Sequence, residues 1–99
     1  MTAAGPVPDN LTKTMSAAVD EFHRSMAVLD ATRAPALSHR LGCGEGTVVI
    51  AYEALPGVTL GTLLALPRAR ITLRFENTTP ADRAQFMARF DLAFQRGGG

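Results

Sequence analysis

Cys43 is the one thiol in the chain, and it stands inside the run Gly42-Cys43-Gly44-Glu45-Gly46. Glycine on both sides leaves a sulfur accessible, and an accessible thiol is a candidate nucleophile or redox group. His39 and Glu45 flank it, and an imidazole and a carboxylate beside a thiol are the parts of an activated thiolate or a metal site. In a segment running from strand into turn, however, His39 and Cys43 do not converge, and no further ligands stand nearby. The glycines could instead offer backbone N–H groups to an anion. Yet the run lacks the Gly-x-x-x-x-Gly-Lys-Ser/Thr spacing, no helix follows it, and it belongs to no βαβ unit, so neither a phosphate loop nor a dinucleotide fingerprint is present. The run reads as a hairpin turn, with Cys43 kept as a candidate reactive thiol.

A second group is Arg68, Arg70 and Arg74, which share one side of an alternating segment. A basic strand face can hold phosphate, whether of a nucleotide or of nucleic acid. Phe75 and Tyr52, which could stack on bases, point to the other side by the same alternation. The competing reading is a solvated face in which the arginines pair with Glu53 across the ladder or with Glu76. A third group is Met87, Leu92 and Phe94 near the C-terminus. With Phe86 and Phe90 they spread around more of a helix than one sheet face covers, which marks a candidate interaction surface.

The elements that must carry these residues follow from periodicity. Met1–Asp9 holds prolines and a glycine and reads as a disordered arm. From Asn10 to Thr32, Leu11, Met15, Ala18, Val19, Phe22, Met26 and Leu29 recur at helical steps, with Asp9 or Asn10 as N-cap and His23 beside the apolar stripe. Ala36–Leu41 is a candidate short strand, and Thr47–Ala54 alternates as a strand should. Pro56-Gly57 suits a type II turn. Val58–Leu66 is interrupted by Gly61 and followed by Pro67, which predicts an edge strand or a bulged connection. Arg68–Glu76 alternates cleanly, with Ala69, Ile71, Leu73 and Phe75 on the inner side. Thr79-Pro80-Ala81-Asp82 opens a last helix through a capping box, and Gly97-Gly98-Gly99 ends it as a flexible tail.

The fold class expected is α+β: a two-layer sandwich with a small antiparallel sheet of three to four strands, flanked in sequence by an N-terminal and a C-terminal helix. Residues 10–96 form its single domain. Ile71 to Arg83 resembles the final strand and first helical turn of PilZ domains, which bind cyclic dinucleotides. That family's Arg-x-x-x-Arg arm and Asp/Asn-x-Ser-x-x-Gly motif are both missing here, so membership does not follow.

Composition bounds the rest. The chain has 99 residues, a net charge of +1 and 46% hydrophobic residues. That is one domain with a thin core, suited to gaining stability from a partner. So small a net charge implies neither nucleic acid nor an anionic membrane as partner. One cysteine excludes an internal disulfide and a Cys-based zinc site. No signal pattern opens the chain and no apolar run approaches a membrane span, so the expected location is cytoplasmic. Nine arginines against one lysine, with many alanines, match the codon bias of a GC-rich bacterial genome.

The function expected is that of a small non-enzymatic accessory, adaptor or assembly protein, acting through a protein partner or as a homo-oligomer, without cofactor or metal. The alternatives are an anion- or nucleotide-binding module using Arg68, Arg70 and Arg74, and a thiol or redox protein using Cys43.

Overall fold

The computed structural model describes residues 7–31, 34–61 and 64–94. The arm before Val7 and the tail after Phe94 lie outside the described residues. Thr32, the expected end of the first helix, does too, but that helix already stops at Leu29, with Asp30 extended as its C-cap. Six elements follow one another: β1 (Asn10–Met15), α1 (Val19–Leu29), β2 (Ser38–Cys43), β3 (Gly46–Leu60), β4 (Leu64–Glu76) and α2 (Pro80–Phe94). The strands form one antiparallel sheet in the order β1-β4-β3-β2. Both helices lie on the same side of it, which makes an α+β two-layer sandwich.

β1 corrects the expected helical start. Leu11 and Met15 fit a helical step of four, but with Lys13 they fit a strand step of two equally well. Thr12 and Thr14 between them are β-branched and favour the extended chain. Six register positions against β4, from Asn10↔Arg74 to Met15↔Ala69, decide the matter. The helix therefore begins at Val19 with Ala18 as N-cap, and Glu21 accepts a bond from the Ala18 N–H at 2.9 Å.

The core is the inner side of the sheet closed by both helices. Phe22, Met26 and Leu29 of α1 and Phe86, Met87, Phe90 and Ala93 of α2 meet Val48, Ile50, Ala69, Ile71, Leu73 and Phe75. The α2 helix crosses the sheet diagonally. Its first turn sits by β2, where the Cys43 thiol donates to the Asp82 carbonyl at 3.5 Å, and Asp91 reaches Lys13 of β1 at 3.7 Å. The capping box forms as its sequence predicts: the Asp82 N–H donates to Thr79 Oγ1, and the Thr79 N–H to Asp82 Oδ2, both at 3.1 Å.

Val7–Asp9, expected as part of a loose arm, is tied to the body. Arg83 donates from Nε to the Val7 carbonyl at 2.7 Å, and the Phe75 N–H donates to the Asp9 carbonyl at 2.8 Å.

Pro56-Gly57 does not turn the chain. The two residues lie within β3 at a bulge between Leu55 and Val58, and the ladder resumes with Val58↔Leu66 and continues to Leu60↔Leu64. Beyond the end of β1 at Ala69 and the start of β2 opposite Ala51, β3 and β4 therefore run on alone as a two-stranded arm.

Candidate functional site

The helices leave the other side of the sheet open. Register places Arg74 of β4 beside Val49 of β3 and Arg40 of β2, and Thr72 beside Ala51 and Ser38. Arg70 stands opposite Glu53, and Arg68 opposite Leu55. Four arginines thus share one exposed face with two glutamates.

Three of those arginines are already engaged. Arg40 meets Glu76 at 3.0 Å, and Arg74 reaches the second oxygen of the same carboxylate at 3.4 Å. Thr47 Oγ1 donates to Glu76 at 3.3 Å. The Arg40 hydrogen bond, helped by Thr47 and the charge of Arg74, holds the Glu76 carboxyl below its ordinary range. Arg70 pairs with Glu53 at 2.9 Å. Arg68 has no ion pair among the described residues. The pairing with Glu53 and Glu76 that the alternation suggested is present, and it leaves Arg68 as the free cation of the group.

The arm extends this face. No irregularity interrupts β4, so Leu66 lies on the same side as Arg68, Arg70 and Arg74, and its partner Val58 lies there too. Both are exposed. The edges of the arm are blunted. The Phe75 N–H points to the β1 side, so odd positions of β4 aim outward, and Pro67 is among them. The Tyr52 N–H points to the β2 side, toward the Leu37 carbonyl, which puts Pro56 at the outward phase of β3. Each proline lacks a donor where an added strand would need one.

The candidate surface on α2 is largely consumed by the core. Met87 is buried, and Phe94 is half-buried, stacked on Phe90 with ring centroids 4.2 Å apart. Only Leu92 stands clear, 70% exposed. Phe94 also borders a shallow depression of about 310 Å³ with Lys13, Met15, Phe90 and Asp91.

Cys43 is likewise not where the flanking glycines suggested. It is 4% exposed, on the inner side of β2. Burial first, and the charge of Asp82 second, push its thiol up from its ordinary value. The glycines serve packing instead. Gly44 takes a φ of +60° in the two-residue turn, close against the Asp82 carboxylate. A side chain at Gly46 would overlap the backbone carbonyls of Glu76 and Asn77. Gly42 has open space around its Cα.

His39 is also buried, and its Nε2 lies 3.0 Å from the Ala36 carbonyl. It lines a cavity of about 50 Å³ together with His23, Met26 and Asp30. His23 Nδ1 is buried and has no hydrogen-bond partner among the described residues. His39 and Cys43 do not combine into a metal site: among the described residues no three His, Cys, Asp or Glu side chains could hold an ion. Nor is any described helix long and apolar enough to cross a membrane. Arg83 is the structurally important residue that periodicity missed, because two of its partners, Val7 and Asp9, lie at the far end of the chain.

Comparison with family models, with curated proteins and with solved structures finds no match for this chain.

Proposed function

We propose that this protein is a non-enzymatic accessory, adaptor or assembly protein that works by protein–protein contact. One observation carries the reading: the helices cover only one side of the sheet, and the uncovered side continues into a two-stranded arm that pairs with no other strand among the described residues. An isolated two-stranded ribbon is marginal in water, so a built arm of this kind gains order from whatever it meets. The side chains that could do chemistry support the same reading. Cys43 is enclosed with its thiol pushed toward the neutral form, a poor state for a nucleophile. The anion-binding alternative has weaker support, because Arg70 and Arg74 already pair with carboxylates.

The test is stoichiometric capture of one protein by the full chain, followed by reconstitution from the two purified components. The expected result is a defined complex that sediments as one species. A chain that sediments as a clean monomer at high concentration and retains no partner in stoichiometric amount would remove the interaction reading.

A further inference from the structure

Resting on that reading, we infer that the open sheet face is the docking surface and that its occupant is an acidic, partly apolar segment of a partner protein. The argument begins with charge. Arg40, Arg68, Arg70 and Arg74 share the face with Glu53 and Glu76, so it is net positive, and Arg68 has no ion pair among the described residues. A second copy laid on the same face would set like charge against like, which disfavours a two-fold dimer there and favours a carboxylate-bearing partner.

The second step concerns the kind of anion. A phosphate polymer or an anionic bilayer presents continuous negative charge, and both would press against Glu53 and Glu76. Among the described residues no aromatic side chain stands on the face to stack on a base. A protein segment differs in that it can place a single carboxylate opposite Arg68 and leave the positions near Glu53 and Glu76, whose carboxylates already hold Arg40, Arg70 and Arg74, uncharged. It can also set an apolar side chain on Val58 and Leu66, which continue the face along the arm. Arginine suits this role because its planar fork binds carboxylate in two places at once.

The third step concerns mode. Pro56 and Pro67 stand at the outward phases of the two arm strands, so a partner strand cannot extend the ladder there. The segment therefore lies across the face and contacts side chains rather than adding to the sheet edge.

The experiment uses the full chain, isotopically labelled, titrated with a short flexible peptide of glutamate and leucine and with its lysine-for-glutamate counterpart. A single-stranded oligonucleotide and vesicles containing phosphatidylglycerol are titrated in parallel. The glutamate peptide is expected to shift backbone amide signals in β4 from Leu66 to Arg74, and the lysine peptide to leave them unmoved. Arg68→Glu should weaken that binding about tenfold with an unchanged circular dichroism spectrum, whereas Leu92→Glu should not. Shifts confined to the helices, equal binding by Arg68→Glu, or tighter binding of the oligonucleotide or the vesicles at this face would each overturn the inference. A captured partner whose contacts map to α2 would overturn the face while leaving the interaction role standing.

Discussion

Arg83 Nε donates to the carbonyl of Val7 at 2.7 Å, joining the first turn of α2 to the segment that leads into β1. The same guanidinium donates from its first terminal nitrogen to Thr78 O and Thr78 Oγ1, both at 3.0 Å, and lies 3.6 Å from Asp9. Its side chain is only 12% exposed. One charged group thus satisfies two backbone carbonyls and fixes where the edge strand begins.

Removing it should loosen that edge. Arg83→Ala leaves the Val7 and Thr78 carbonyls without their donor, at a cost of about 1.5–3 kcal/mol in urea unfolding. Amide exchange at Phe75 should quicken as well, because its N–H bonds to Asp9 in the anchored segment. A variant of full stability with Phe75 still protected would show that the anchor is dispensable.

The glycine run makes a sharper prediction, because its members face different surroundings. At Gly46 a methyl group meets the backbone at Glu76 and Asn77, which cannot swing aside as a side chain can. Gly46→Ala should therefore destabilise by about 1–3 kcal/mol, as overpacking does. Gly42 has space and no positive φ, so Gly42→Ala should be neutral or stabilise by up to about 1 kcal/mol through the unfolded chain. Equal effects at the two positions, measured by thermal unfolding, would contradict this account.

That contrast shows what was legible in the chain and what was not. The alternation of Arg68–Glu76 exposes both faces of β4, and Ile71, Leu73 and Phe75 are buried as it implies. The Thr79–Asp82 cap is equally plain, because capping is local chemistry between neighbours in sequence. Leu11 and Met15 were ambiguous because a step of four is also two steps of two; only pairing with β4, far along the chain, resolves it. Cys43 misled for a related reason. Adjacent glycines suggest exposure, but Gly44 and Gly46 are small so that distant Asp82 and Glu76 can come close, and Asp82 then accepts from the buried thiol through its carbonyl. Of the arginine face, the pairing with Glu53 and Glu76 was readable across the ladder, whereas the arm depends on a bulge at Pro56-Gly57 that reads locally as a turn.

Cys43 should behave as an enclosed thiol. An aromatic disulfide reagent is expected to label it slowly in the native protein and rapidly in urea, with native labelling limited by opening of the fold. Its raised value also has a sign. The unfolded thiol ionises near pH ~8.5, while the folded one stays protonated to a higher pH. Its contribution is therefore fully present below that point and is lost as pH rises toward the folded value. Tyr52, raised by burial and by the charges of Asp20 and Glu21, acts in the same direction. Cys43→Ala should flatten the alkaline loss of stability above pH ~8.5; rapid native labelling, or an unchanged alkaline slope, would contradict the burial argument.

Glu76 sets the opposite limit. Arg40 crosses above Thr47 to reach it, so one carboxylate ties β2 to β4 over the strand between them. Its folded value is lowered, chiefly by the Arg40 hydrogen bond. The sign is therefore that of a depressed acid: its contribution is present above the unfolded value of about 4.3 and is lost as pH falls through the lower folded value. Glu76→Gln keeps the size of the side chain and removes the titration. The variant should lose part of the acid-side slope of stability and converge with wild type at low pH, where wild-type Glu76 is itself neutral. Arg40→Met should remove much of the same slope, because the first cause of the shift goes with it. Unfolding midpoints compared across acid pH decide the point: an Arg40→Met curve parallel to wild type would show that the pair is present in the structure without coupling to stability.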